Sequence, residues 1–483
     1  MSTVQRIAKN TAVLLVAQVA SYLLSFFYMM YTARYLGPAN FGVLSFAIAF
    51  TGIFAVFGDL GLQPLTVREI ARDKSLAGKY LANLSLMKVI LAAITFGLIA
   101  SVINLMGYSR ETVQVVYLLA LSVVLGAFTQ MFYSIFQAFE RMEFQAVGQM
   151  INAALVLVGV IIAVNEGLGI YEFAALYVTV SGIVLGYSFS LTRLKFSNRP
   201  SVSMSRWMRL DWSFWKATLR EALPFGVTNM FVSFYYYVDT VMLSVLQGDV
   251  AVGWYNAAYK IALTLLFIPG ALNTALFPIM SGLYKSSREF FGLSFERYFK
   301  YMVILGIPIG IGTTLLASRF VFVVFGADYA ESTRAVQILV WSIVVTFVAT
   351  PFATLFSTAN KQSIVTKVTV FGTLLNIVLN AVLIPKYSFI GASIATVVST
   401  SIYLVPYYAF SVKIGHKIDG RKIISTLVKV IISSGLMAVF VVHLNALSLT
   451  ILVPSAAAVY IALILALRGI DRQDKDFAKS LFR

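Results

Sequence analysis

From end to end the chain is a succession of apolar stretches too long to serve a soluble core. Residues 10–33, 35–58, 112–139, 335–360 and 444–467 each run without one Asp, Glu, Lys or Arg. A helix rises ~1.5 Å per residue, so ~20 apolar residues cross the ~30 Å hydrocarbon core of a bilayer. Each stretch is long enough to span. Charged residues make up 12% of the chain, against about 25% in soluble domains. The expected fold class is an all-α integral membrane protein.

Turn residues and charges divide the apolar sequence into fourteen predicted transmembrane helices, near 10–32, 41–62, 80–105, 112–136, 145–165, 171–192, 221–246, 251–280, 299–317, 333–358, 365–384, 388–411, 425–443 and 448–467. Leu36-Gly37-Pro38 closes the first, Gly167 and Gly169 part the fifth from the sixth, and Ile384-Pro385-Lys386 closes the eleventh. Lys and Arg stay on the cytoplasmic side of short loops. With the N-terminus inside, only Arg34, Arg110, Arg319, Arg334 and Lys386 fall on outer loops, and Lys88, Lys260 and Lys429 fall within spans. All other members of the 37 basic residues are cytoplasmic. A missed or extra crossing would scramble that alternation, so both termini are expected in the cytoplasm. The formal charge of +17 follows from this topology, and no nucleic-acid partner is expected.

The longest polar interruption, 193–220, carries seven basic residues and one acidic residue, Asp211. Met208, Trp212, Trp215 and Leu219 recur on one helix face, which predicts an amphipathic helix on the cytoplasmic surface. Six spans precede it and six follow before the next basic loop. A weak repeat agrees with that division. Residues 37–42 correspond to 248–253, 135–138 to 355–358 and 150–152 to 374–376, at offsets of 211, 220 and 224. The expected organisation is a six-helix lobe (1–192), a basic linker (193–220), a second six-helix lobe (221–412), and two further spans with a basic tail (413–483). An even number of spans per lobe gives the two lobes parallel topology.

Several segments carry a family resemblance. They are residues 36–42, Phe57-Gly58-Asp59-Leu60-Gly61-Leu62, Val67-Arg68-Glu69-Ile70-Ala71-Arg72, Gln137-Ala138-Phe139-Glu140-Arg141-Met142, Val252-Gly253-Trp254-Tyr255 and Ile390-Gly391-Ala392-Ser393-Ile394-Ala395-Thr396. The chain resembles the polysaccharide transport family of the multidrug, oligosaccharidyl-lipid and polysaccharide (MOP) exporter superfamily. The resemblance covers nearly the whole chain, including the division into six, six and two spans. It implies a flippase in the cytoplasmic membrane that moves polyprenyl-pyrophosphate-linked oligosaccharide to the outer leaflet. Two lobes would enclose a central cavity and alternate between inward-open and outward-open states. Related lipid II flippases carry cavity arginines from their first span. Span 1 here has none before Arg34 at its outer end, which argues against lipid II as cargo.

Charges within spans are costly and mark function or structural pairing. Asp239 lies ten residues before Asp249 and Lys260 eleven after it, which puts both ~15 Å of helix below the outer turn. Lys260 is the candidate for meeting a pyrophosphate, and Asp239 for a counter-ion or an H+ or Na+ site. A structural ion pair between neighbouring helices is the other reading. Asp59 and Lys88 flank the cytoplasmic turn near Arg72 in the same way, with Lys88 free to snorkel instead. Arg34 is a candidate at the outer mouth. Tyr22, Phe26, Phe27, Tyr28 and Tyr31 in span 1, and Phe231 and Phe234 to Tyr237 in span 7, suit either sugar contact or helix packing and interfacial belts.

The chain contains no cysteine and two histidines, His416 and His443. No disulfide, thiolate zinc site, cysteine nucleophile or histidine metal cluster is expected, and no cofactor. The first apolar segment is full length and lacks a cleavage site, so no cleavable signal peptide is expected. No P-loop is present, which leaves an ion gradient, the membrane potential or product removal as the energy source. Two other functions compete. One is a cation-coupled multidrug exporter of the same superfamily. The other is a membrane glycosyltransferase or polymerase acting on lipid-linked sugars, which would need a catalytic acid or base on an outer loop. The longest outer loop, 318–333, offers only Asp328 and Glu331.

Overall fold

The computed structural model describes residues 3–196 and 211–470, with side chains from Ala17 onward. Among these residues the regular structure is entirely helical, as hydrocarbon demands when every backbone N–H and C=O must be satisfied internally. The helices are α1 (Thr3–Phe54), α2 (Leu62–Arg72), α3 (Ala77–Leu105), α4 (Arg110–Ala138), α5 (Met142–Asn165), α6 (Ile170–Phe196), α7 (Trp212–Gln247), α8 (Asp249–Thr264), α9 (Phe267–Ser286), α10 (Arg288–Phe325), α11 (Ser332–Thr358), α12 (Gln362–Ile402), α13 (Leu404–Lys413), α14 (Gly420–His443) and α15 (Leu449–Ala466). Eleven helical segments among the described residues are long and apolar enough to cross a membrane.

Two of the eleven, Ala17–Gly58 and Gln362–Lys413, are 42 and 52 residues long, about twice what one crossing needs. Both contain a break. At Gly37 the backbone leaves helical space (φ 69°, ψ 173°) just before Pro38. At Ser388 it does so again (φ 52°, ψ −136°), three residues after Pro385. A Cβ on Gly391 would overlap the carbonyl of Leu383. In a continuous helix those residues would sit ~12 Å apart, so the chain doubles back between them.

Prolines set two more breaks inside expected spans. Pro269 has no N–H for the carbonyl of Leu265, and α8 and α9 part at residues 265–266. Pro406 likewise cannot donate to Ile402, where α12 ends. The expected surface helix at 193–220 takes a different form where it is described. Residues 197–210, with Trp207 and Met208, lie outside the described residues. Trp212, Trp215 and Leu219 belong to the first turns of α7, which continues unbroken to Gln247. Trp215 is buried and hydrogen-bonded, while Trp212 is exposed.

The chain gathers into two compact units, residues 1–253 and 254–483. The first has an aromatic core where α2, α3, α4, α6 and α7 meet. It includes Phe132, Phe136, Phe139, Phe173, Phe196 and Trp215, with Phe136 and Phe196 stacked at 5.8 Å. In the second, Phe352 of α11 meets Phe295 and Phe299 of α10 edge-on and stacks on Tyr407 of α13. The last two helices are tied to α10 at three levels. Lys422 pairs with Glu296 at 3.2 Å, Tyr460 donates to the Ile304 carbonyl at 2.6 Å, and Arg319 donates to the carbonyls of Asn445 (2.9 Å) and Leu447 (2.7 Å).

Backbone conformation repeats within the first of the three segments matched by the sequence repeat and two residues past the second. Gly37 and Gly248 both have positive φ with extended ψ (173° and −178°). Glu140 and Asn360, 220 residues apart, are both left-handed, at φ 59° and 56°. Each follows a helix closed the same way: Arg141 N donates to Phe136 O (2.8 Å) as Lys361 N does to Phe356 O (2.7 Å), the Schellman pattern. The third pair diverges, since Asn152 is exposed and Asn376 buried.

Candidate functional site

The first unit brings Asp59 and Lys88 together. After Phe54 the chain tightens into a 3-10 turn, Ala55–Gly58, and then passes through two left-handed residues, Leu60 and Gly61. Unwinding exposes carbonyls that a helix would have bonded. Lys88 of α3, only 2% exposed, fills the gap. Its Nζ donates to Asp59 Oδ1 at 2.9 Å and to the Gly58 carbonyl at 3.3 Å. The other carboxylate oxygen, Asp59 Oδ2, accepts from the Gln63 N–H at 3.2 Å, which fixes the start of α2. Lys88 therefore points inward and does not snorkel.

Gly61 and Gly226 interlock beside this pair. A Cβ on Gly226 would press on the Leu60 carbonyl, and one on Gly61 would overlap the backbone of Ala222 and Gly226. The unwound segment thus lies directly against α7, next to Pro224. Two further links join α7 to the same region. Arg68 of α2 donates to Glu221 at 2.6 Å and to Glu69 at 2.6 Å, and these partners, Glu69 first, raise its already high pKa. Lys79 pairs with Asp211 at 2.8 Å. Asp211 also caps α7 through the Phe214 N–H, and Trp215 Nε1 donates to Asn83 Oδ1 at 2.8 Å. Hydrogen bonding from Lys79, then from the Phe214 N–H, holds the Asp211 carboxyl below its usual range.

Asp239 lies deep in α7, 4% exposed, and belongs to the first unit. Lys260 belongs to the second, where α8 leaves its side chain exposed. Arg34 is exposed three residues before the Gly37 break. Sequence reasoning missed a polar tract in the second unit. Asn380 Nδ2 donates to Asn376 Oδ1 at 3.0 Å, Asn376 Nδ2 reaches Ser399 Oγ at 3.5 Å, and the Tyr255 hydroxyl lies 3.4 Å from Thr396 Oγ1. All five residues are buried. The signal was present as two asparagines four apart on one helix face, but a count of charges passes over neutral amides.

These features can be set against known proteins. A family model described as "Polysaccharide biosynthesis protein" matches residues 7–284, more than half of the chain. The chain belongs to the polysaccharide biosynthesis protein family. A second model, MatE, matches residues 224–382 of this family member. Its relatives include the "probable low-salt glycan biosynthesis flippase Agl15" of Haloferax volcanii, 22% identical over 83% of this chain and 82% of that protein. Its fold matches a solved structure of the lipid II flippase MurJ in an inward-closed conformation, with a TM-score of 0.75, 17% identity, and coverage of 97% and 99% of the two chains. It also matches an inward-facing multidrug resistance MATE transporter of the MOP superfamily, with a TM-score of 0.67, 17% identity, and coverage of 82% and 94%. The family member therefore has the fold of the MOP superfamily of membrane transporters.

Proposed function

We propose that this protein is a flippase that carries lipid-linked oligosaccharide, a repeat unit of a surface polysaccharide, across the cytoplasmic membrane by alternating access. It is a transporter and not an enzyme. The reading has fourteen crossings. The eleven long apolar helices count α1 and α12 once each although each is broken in two, and α7 supplies the last. Both termini are cytoplasmic, and the lobes are 1–192 and 221–412, joined by the 193–220 linker. Matched left-handed caps at Glu140 and Asn360 support that division.

The observation that carries the reading is Lys260. An ammonium exposed on the face of a membrane helix is stable only against water or an anion, and a pyrophosphate supplies the anion. Asp239, buried in α7, is the proposed H+ or Na+ coupling residue, and Arg34 assists release at the outer mouth. The names of relatives support the cargo class, and the family membership supports its place in polysaccharide assembly. Lys260→Ala should slow flipping of lipid-linked oligosaccharide in proteoliposomes by about tenfold to a hundredfold, the weight of one charge-assisted contact, while Lys260→Arg retains most of it. Unimpaired flipping by the alanine variant would defeat the assignment. The MatE match over residues 224–382 favours a second reading, cation-coupled drug export. Drug resistance lost on gene deletion, with no build-up of lipid-linked oligosaccharide in the inner leaflet, would select it.

A further inference from the structure

Two amides and two phenols stand exposed at hydrocarbon depth on α1 and α7. Tyr22 falls at the middle of the first expected span and Tyr236 near the middle of the seventh. They are 55% and 41% exposed, on two helices that pack against each other within the first unit. Gln18, one turn before Tyr22, is exposed and donates its amide to the Tyr22 hydroxyl at 3.2 Å. On α7 the residues Phe225, Asn229, Val232 and Tyr236 are all exposed, and their spacing of four, three and four puts them on one face. The Tyr235 ring packs edge-on against Tyr236 at 5.6 Å, which limits the positions that ring can take.

An exposed amide facing lipid tails would forfeit its hydrogen bonds at a cost of several kcal/mol. Gln18 and Asn229 therefore mark a wetted face, and the tyrosines share it. Aromatic rings flanked by amides form the surface that a sugar requires. The apolar C–H face of a pyranose packs on a ring, and its hydroxyl rim exchanges hydrogen bonds with amides and phenols. We infer that Gln18, Tyr22, Asn229 and Tyr236 form the glycan-contact surface of the transport path, separate from the cationic contact for the phosphate. This inference rests on the flippase reading and adds to it the site where the sugar is read.

The test uses full-length protein in nanodiscs and two probes: the lipid-linked oligosaccharide fraction extracted from the protein's own source cells, and undecaprenyl pyrophosphate bearing no sugar. Tyr22→Ala and Tyr236→Ala should each weaken binding of the sugar-bearing probe about tenfold and leave the sugar-free probe unchanged. Retained binding of the second probe also shows that the variants are folded. Tyr22→Phe, which keeps the ring, should stay within about threefold of wild type. Equal loss for both probes, or no loss for either, overturns the glycan surface while the flippase reading stands. Wild-type protein that binds neither probe defeats the flippase reading, and this inference with it.

Discussion

Removing one member of the Asp59–Lys88 pair strands a charge in a low-dielectric setting, because Lys88 is sealed from solvent and Asp59 is 22% exposed. Lys88→Met should lower stability by about 3 kcal/mol, the usual cost of breaking a buried pair from one side. Asp59→Asn should cost a similar amount, since it leaves the sealed ammonium without its carboxylate although the amide oxygen still accepts from the Gln63 N–H. Adding Asp59→Asn to Lys88→Met should recover most of the loss, and the apparent melting temperatures of the three variants in detergent check this. A double variant no more stable than Lys88→Met would show that the carboxylate matters for a reason other than this lysine. The Lys79–Asp211 link makes a separate prediction about pH. Its folded carboxyl pKa is depressed, so its contribution is complete above the ordinary carboxylate range and is lost as pH falls through the depressed value. Acidification should loosen the base of α7, seen as a shift in tryptophan emission near Trp215, and Asp211→Asn should abolish that shift. At this scale the sequence disclosed the depth of each charge but not its direction. Counting residues around a turn put Asp59 level with Lys88. Whether the lysine turned inward depended on an unwound segment that no spacing rule identifies.

Among the helices, glycines determine which backbones touch. Gly42 of α1 sits against the carbonyl of Asp249, and Gly253 of α8 against the carbonyl of Pro38. The two contacts are reciprocal: in each, a glycine five residues past a left-handed glycine meets the residue that follows the other one. The repeat at 37–42 and 248–253 was readable as spacing. Its meaning was not, because a sequence does not say which two helices cross. Either position altered to a residue with a side chain must displace a backbone carbonyl, which cannot move as a side-chain tip can. Gly253→Val should therefore destabilise by about 1–3 kcal/mol or more. Gly97→Ala, in α3 with nothing within 4 Å of its Cβ site, should be neutral or stabilising, as helix propensity alone requires. Thermal unfolding of both in detergent makes the comparison, and similar behaviour would show that the Gly42–Asp249 and Gly253–Pro38 contacts do not stabilise the fold.

At the scale of the whole molecule, the number of crossings turns on α7. α7 does not reach the apolarity of the eleven long helices, because Asn229, Asp239 and the charges of its first turns lie on it. The topology proposed from the distribution of Lys and Arg has it cross nonetheless. Without that crossing, every loop beyond residue 248 changes sides, and the basic groups at 285–300, 361–367 and 413–422 would all face outward against the bias that orients membrane helices. The polar residues of α7 explain how it can span. Asp239 is buried in protein and Asn229 lies on the face argued to be wet, so neither meets lipid tails. The absence of cysteine makes the test direct, since each engineered cysteine is the sole target of a membrane-impermeant maleimide. Arg110→Cys, Glu166→Cys and Glu331→Cys should react in intact cells. Ser75→Cys, Lys361→Cys and Lys417→Cys should react only after permeabilisation. If α7 does not cross, the first two sites still react from outside and Ser75→Cys stays protected, while Glu331→Cys exchanges its behaviour with Lys361→Cys and Lys417→Cys. Reversal confined to positions after 248 thus isolates α7 as the error, whereas reversal of all six sites would place both termini outside.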